Sequence, residues 1–405
     1  AGRAVPRLDR AREFLEDAEA DISSAGALIG DDAEKNRVAF RLLVEGTEKA
    51  IKALWLAVYD EVKILLLDPL KARCSNIVST SNSNIIKEIK ELGRELDSLA
   101  DPKKLGHETS LTLPGALLDA LYHAGCVEAC RLRPEDLSLE KLLNSFREYL
   151  DKYDSQIAES IVRSCRLDAE LDEALKAVGG KVENSSDLSV ELAKEIKSFN
   201  KRQFKTMIRN VRDAAEAFVS SVQKVDCDQV KKAIEIKEQI QKAMKGEEKA
   251  SELCEKGLDA NRVGETIKFV SQLLSDAEKE KAEVMDRLIA GVQVVLEAAL
   301  NELRARRVKE ILNITEMTKI KEKIIKCLIG MYTVRAVYSV YLLCALVALH
   351  LTIYPCYRPS RYRYLGSIPS DVLDKAVLKG VHGEASKIVA RLAELLQNKI
   401  SIELG

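Results

Sequence analysis

Apolar residues recur every three or four positions along most of this 405-residue chain, which is the spacing of helices with one buried face. The first such stripe predicts a helix from about residue 8 to residue 29 and consists of Leu8, Ala11, Leu15, Ala18, Ile22, Ala25 and Leu28. No stretch alternates apolar and polar residues as a half-buried strand does. The sequence therefore predicts an all-α fold.

Capping and helix-breaking residues divide this pattern into segments. Gly30 is predicted to end the first helix, and Asp32 to cap a second helix that continues to about residue 67. Pro69 is predicted to end the second helix because proline has no backbone N–H to donate. Another helix is predicted over residues 114–131, with Pro114 in its first turn.

A Gly179-Gly180 pair followed by polar residues is the best candidate for a domain boundary. It predicts a helical bundle over residues 1–178 and a second bundle of long antiparallel helices over residues 179–405. The chain length and the 46% of apolar residues are sufficient for more than one core. Within the second bundle, residues 355–369 are predicted to be a loop rich in Tyr and Arg.

The segment from Ala11 to Tyr59 carries a family resemblance. Residues 18–25 read AEADISSA, and residues 48–54 read EKAIKAL after Ala39-Phe40. These motifs resemble the first two helices of HEPN domains, small helical bundles found beside minimal nucleotidyltransferases in archaea and bacteria. The resemblance implies a bundle of four or five helices that often dimerises and acts around RNA or nucleotides. The alternative is an ordinary amphipathic helix in which Glu48 pairs with Lys52.

The RNase members of that family carry an arginine followed, after four to six residues, by a histidine on the same helix. The histidines of this chain are His107, His123, His350 and His382, and none has an arginine at that spacing upstream. Glycine-rich phosphate loops are absent as well. The sequence therefore predicts a protein that is not an enzyme and has no cofactor.

Charge is balanced over the whole chain but not along it. Between residues 304 and 363, twelve basic residues face three glutamates, a net charge of +9 in a protein of net charge −1. Arginines alternate there with tyrosines, a pattern that suits the phosphates and bases of single-stranded RNA. The predicted nucleic-acid-binding residues are Arg304, Arg306, Arg307, Arg358, Arg361 and Arg363, with Lys201, Lys205 and Arg209 from a second basic helix face. The alternatives are arginines paired with acids elsewhere and binding to membrane headgroups.

Residues 336–354 form an apolar stretch of 19 residues without a formal charge and with basic residues on both sides. Its length fits a membrane span, but a helix buried on all sides in a bundle has the same composition. We predict a core helix, with His350 as a core histidine, and keep a membrane anchor as the alternative.

The nine cysteines include no CxxC pair, and we predict them to be small buried apolar residues, with disulfides as the alternative. His123, Cys126 and Cys130 are predicted to share one face of a helix, where core packing is favoured over a metal site. The N-terminal residues have no apolar secretory core, which predicts a cytoplasmic protein. Lys- and Glu-rich composition favours a thermophilic source.

These patterns together predict a non-enzymatic protein that binds RNA or a ribonucleoprotein in an archaeal-type cytoplasm. A homodimer would agree with the HEPN resemblance. The two alternatives are a scaffold protein that binds other helices or itself, and a membrane-attached protein anchored by residues 336–354.

Overall fold

The computed structural model describes part of the chain. The described residues are 7–75, 83–106, 111–138, 141, 216, 219–220, 222–224, 227–244, 254, 258–279, 338–362 and 367–396. Within these residues every regular element is a helix and no strand is present, so the predicted all-α class is confirmed. The helices are α1 (Arg7–Leu28), α2 (Ala33–Val62), α3 (Asp68–Ser75), α4 (Ser83–Leu99), α5 (Thr112–Gly125), α6 (Cys227–Met244), α7 (260–279), α8 (Tyr338–Arg361) and α9 (Lys375–Leu396).

These helices belong to one compact unit, which is assembled from three separate segments of the chain. The unit comprises Ala1–Leu132, Val222–Glu278 and Tyr338–Asn398, and the remaining residues form a second unit of which the structure describes few. The boundary predicted near residue 179 lies outside the described residues. The first unit draws helices from both sides of that boundary, so its core is not formed by consecutive residues.

The helix α2 packs against α1 along its length, and α9 packs against both. The N-terminus of α2 is capped as predicted, because Asp32 accepts hydrogen bonds from the backbone N–H groups of Glu34 and Lys35. Gly46 permits the close approach of α1, since a Cβ atom there would lie 2.7 Å from Ile22 Cγ1.

Three predicted helix boundaries are wrong for identifiable reasons. After α2 the chain continues through a π-helical turn, Lys63–Leu67, into α3, and Pro69 lies in the first turn of α3, where no N–H is needed. The helix α5 ends at Gly125, so Cys126 and Cys130 lie in turns beyond it. The predicted loop after residue 354 begins instead with a short helix, Tyr357–Arg361.

The core is centred on α2, whose side chains are buried on almost every face. Trp55 is fully buried, and its Nε1–H donates a hydrogen bond to the backbone oxygen of Leu99 at 3.1 Å. Glu48 and Lys52 are also buried, and Lys52 Nζ lies 2.5 Å from Glu48 Oε1 and 2.9 Å from the backbone oxygen of Gly106. Glu48 and Lys52 do pair, as in the alternative of an ordinary amphipathic helix, and the pair lies inside the core.

We expect Lys52→Met to lower the free energy of unfolding by about 3 kcal/mol, because Glu48 would lose its cation in a site shielded from water. The double variant Glu48→Gln/Lys52→Met should recover part of that loss. Lys87→Met is the matched control, since Lys87 and Glu91 have the same spacing but exposed side chains, and it should change stability by less than about 0.5 kcal/mol. Urea denaturation measures the free energy of unfolding of all three variants. Equal losses of stability in Lys52→Met and Lys87→Met would contradict a buried ion pair between Glu48 and Lys52.

The helix α8 is buried in the described unit, and every residue from 338 to 353 lies in its core. His350 Nδ1 lies 3.0 Å from the Thr47 hydroxyl of α2. The buried imidazole of His350 therefore has a hydrogen-bond partner. Among the described residues, α8 is the helix long and apolar enough to cross a membrane, and core helices of soluble bundles meet the same test.

Among the described residues two disulfides join distant parts of the chain, so the prediction of small apolar cysteines is wrong for these four cysteines. Cys126 is bonded to Cys227, and Cys254 is bonded to Cys356. Cys74, Cys130 and Cys344, which are also described, are buried and take part in neither of these bonds. Sequence reasoning missed the pairs because partners about one hundred residues apart leave no local spacing to recognise.

We expect Cys254→Ala/Cys356→Ala to lower the free energy of unfolding by about 4 kcal/mol, because this disulfide closes a long loop in the unfolded chain. Cys344→Ala removes a buried cysteine without breaking a crosslink and should cost about 1 kcal/mol. Urea denaturation without reductant compares them. Equal effects would mean that the crosslink contributes nothing beyond side-chain packing.

Candidate anion-binding surface

Two of the arginines that the sequence singled out, Arg358 and Arg361, lie at the C-terminal end of α8. At Pro355 the helix tightens to a 3-10 turn, Tyr354–Cys356, and then makes one last turn, Tyr357–Arg361. Cys356 is bonded to Cys254 at this point, and the last turn packs on α2. The end of α8 is therefore held on two sides.

One arginine of α2 contacts this end of α8 directly, and a second is linked to it through Glu45. Arg37 Nη2 donates a hydrogen bond to the backbone oxygen of Pro359 at 2.7 Å, across 322 positions of sequence. Arg41 lies one helical turn further along α2, with its Nε 3.9 Å from Glu45 Oε1. Both arginine side chains are half-buried.

Tyr357 links the two helices through Glu45. Its hydroxyl donates to Glu45 Oε1 at 3.2 Å and accepts a hydrogen bond from Arg361 Nη1 at 3.2 Å. Burial, and then the charge of Glu45, raise the pKa of Tyr357, so its hydroxyl stays protonated at neutral pH. The resulting surface, called the basic–aromatic patch below, consists of Arg37, Arg41, Arg358, Arg361, Tyr357 and Tyr362.

The outer part of the patch is open to solvent. Arg358, Arg361 and Tyr362 are exposed, and Tyr362 retains 41% of its accessible surface. No carboxylate in the described part of the chain lies within 4.0 Å of Arg358 or Arg361. The Arg361 guanidinium instead stacks over the Tyr362 ring, 5.5 Å from its centroid. Among the described residues, Glu45 is the carboxylate that contacts this patch, through Arg41 and Tyr357, so the four arginines outnumber it.

Of the predicted binding residues, the structure places Arg358 and Arg361 in this patch. The others lie outside the described residues: Arg304, Arg306, Arg307, Arg363, Lys201, Lys205 and Arg209. Arg37 and Arg41 were missed because they alternate with acids along α2 and look like an ordinary solvated helix face. Arg37 is distinguished by its hydrogen bond to the backbone of α8, and Arg41 by its ion pair with Glu45, which contacts Tyr357 of α8.

A metal site finds no support in the described residues, where no group of three or more His, Cys, Asp or Glu side chains could hold an ion. The predicted alignment of His123, Cys126 and Cys130 on one helix face is wrong, because α5 ends before both cysteines. Cys126 is moreover committed to a disulfide with Cys227.

Comparisons with known proteins assign no family to this chain. No protein-family model, curated protein or solved structure matches it. The resemblance to HEPN domains rests on residue patterns in α1 and α2, and function must be argued from the surface itself.

We expect Glu45→Gln to strengthen binding of polyanions by about two- to fivefold, because it removes the negative charge that Arg41 and Tyr357 contact in the patch. Heparin-column retention, read as the salt concentration at elution, measures the effect. Glu91→Gln makes the same charge change at an exposed position of α4 and should shift elution less. Equal shifts would show that only net charge matters.

Proposed function

We propose that this protein binds single-stranded RNA, alone or within a ribonucleoprotein, through the basic–aromatic patch and without catalysing a reaction. The observation that supports the proposal is that the last turn of α8, with Arg358, Arg361, Tyr357 and Tyr362, packs on the part of α2 that carries Arg37, Arg41 and Glu45. Neither helix has this composition by itself.

Each part of the patch suits one part of a nucleotide. Arg358 and Arg361 are exposed guanidiniums without a carboxylate partner among the described residues, so their donors are available to phosphate oxygens. The exposed ring of Tyr362 offers a face on which an unpaired base can stack. Stacking of this kind needs a base that is not already paired, which favours single-stranded RNA over a duplex.

Membrane headgroups would also bind arginines, but a membrane-bound surface normally adds apolar side chains that insert between lipids. In the described part of the chain, the large apolar or aromatic residues that are exposed are Leu8, Val38 and Tyr362. Three side chains are few for a surface that inserts between lipids. The HEPN resemblance of α1 and α2 also favours RNA, because that family acts around RNA or nucleotides.

The absence of catalysis is part of the proposal. Phosphodiester cleavage by HEPN-type RNases needs a histidine positioned with an arginine to move a proton. No histidine here follows an arginine at that spacing. His350, which lies nearest in sequence to the patch, is fully buried and hydrogen-bonded to Thr47.

We expect Arg358→Glu/Arg361→Glu to weaken binding of a labelled oligouridine by about 10- to 100-fold, since both phosphate-binding groups would become repulsive. Fluorescence anisotropy measures the affinity at several salt concentrations, and the salt dependence of the variant should be shallower. The matched control is Arg12→Glu/Arg94→Glu, which makes the same charge change at two exposed positions of α1 and α4.

The control separates a binding site from a general effect of charge. If both double variants lose affinity equally, the patch is not the site. If the wild-type affinity does not fall between about 50 and 200 mM salt, phosphate contacts do not carry the binding and the proposal is wrong.

A further inference from the structure

The helix α8 is interrupted just before the basic–aromatic patch. Pro355 has no backbone N–H to donate, and the chain forms a 3-10 turn at Tyr354–Cys356. Cys356 has φ −91° and ψ 6°, which places its backbone in the bridge region outside the helical range. The last turn, Tyr357–Arg361, is called the patch turn below. Because of the interruption it is not a rigid continuation of α8, and its position depends on what it contacts.

Before this interruption, α8 is fixed by packing on two neighbouring helices. Thr352 Oγ1 lies 3.0 Å from Thr266 Oγ1 of α7, and His350 Nδ1 lies 3.0 Å from the Thr47 hydroxyl of α2. Every residue from 338 to 353 is buried. This part of α8 therefore has a packed position of its own.

The patch turn itself is held by α2 and by a covalent bond. Arg37 Nη2 donates to the backbone oxygen of Pro359 at 2.7 Å, and the Tyr357 hydroxyl donates to Glu45 Oε1 at 3.2 Å. Both hydrogen bonds are only part-buried, so water competes for the same groups and each bond contributes little net free energy. The disulfide of Cys356, at the residue before the patch turn, is the covalent attachment.

This disulfide lies at a place where a small reagent gains access when the helix end opens. Cys254 and Cys356 are fully buried in the folded unit. Arg358 and Arg361, two and five residues beyond Cys356, are exposed. The end of a helix opens locally at a lower free energy than the whole unit. Such an opening admits a small thiol reagent to the sulfurs but is too limited for a folded protein.

We propose that the disulfide between Cys254 and Cys356 is a redox switch of the basic–aromatic patch: a small dithiol reduces it, releases the patch turn and weakens the binding of RNA. This inference rests on the proposed function. One thiolate of the dithiol attacks one sulfur of the disulfide, and the other cysteine leaves as a thiolate that takes up a proton. The second thiol of the reductant then loses its proton and attacks the mixed disulfide, which releases the first cysteine. The protein gains two electrons and two protons, and the dithiol becomes a cyclic disulfide.

Reduction leaves the charges of the patch unchanged and removes one attachment of the patch turn. Arg358, Arg361 and Tyr362 then sample more orientations in the free protein, and binding of RNA has to order them again. This loss of conformational entropy should weaken the affinity by about tenfold. The bound state contacts the same phosphates, so the dependence of affinity on salt should stay the same, unlike that of Arg358→Glu/Arg361→Glu.

The test compares the full wild-type chain before and after incubation with dithiothreitol. Alkylation with peptide mapping by mass spectrometry first establishes that Cys254 and Cys356 have become thiols, and urea denaturation establishes that the reduced protein is folded. Fluorescence anisotropy with a labelled oligouridine should then show about tenfold weaker binding with an unchanged salt dependence. Equal affinities of the oxidised and the reduced protein would overturn the proposal.

Two matched double variants assign the effect to one disulfide, because the two bridges span 102 and 101 positions of sequence. Cys254→Ala/Cys356→Ala should bind oligouridine as weakly as the reduced wild type and should not respond to dithiothreitol. Cys126→Ala/Cys227→Ala should bind like the oxidised wild type and lose affinity on reduction. The proposal is wrong if both variants respond alike. Cys254→Ala/Cys356→Ala also replaces the reduced wild type if complete reduction unfolds the chain, since it keeps the other bridge.

Limited proteolysis tests the release of the patch turn without RNA. Trypsin should cleave after Arg361 faster in the reduced than in the oxidised protein, because proteases cut segments that have been loosened. Cleavage after Arg12, an exposed residue of α1, should not change. If neither redox state binds oligouridine, the proposed function fails, and cleavage after Arg361 alone decides whether reduction releases the turn. An unchanged rate there in the reduced protein would refute the switch.

Discussion

The burial of α2 on nearly all its faces is the constraint on which the described unit depends. A helix surrounded by neighbours cannot leave charged or polar side chains unpaired, because their desolvation is costly. Glu48 and Lys52 meet that requirement by pairing with each other, and Thr47 meets it by contacting His350 of α8. The packing of α1, α8 and α9 around α2 is thus fixed by polar contacts as well as by apolar area.

The same packing creates the basic–aromatic patch. Because α8 lies against α2, its last turn reaches the half of α2 that carries Arg37 and Arg41. The disulfide between Cys254 and Cys356 holds that turn from the other side.

The disulfides of the described residues add covalent links to this packing. Cys126–Cys227 joins the turn after α5 to the first residue of α6, and Cys254–Cys356 joins residue 254 to the 3-10 turn of α8. Each closes a loop of about one hundred residues, which restricts the unfolded chain and so stabilises the folded one.

The sequence by itself determined the helical class, the cap at Asp32 and the spacing of Glu48 and Lys52, because each of these depends on residues within a few positions of one another. It also singled out Arg358 and Arg361 as part of a basic segment. Only the tertiary structure decided the role of Pro69, the disulfide partners, and the contribution of Arg37 and Arg41 to the patch. These features join residues far apart in the chain, and local periodicity carries no information about such contacts until the helices are packed.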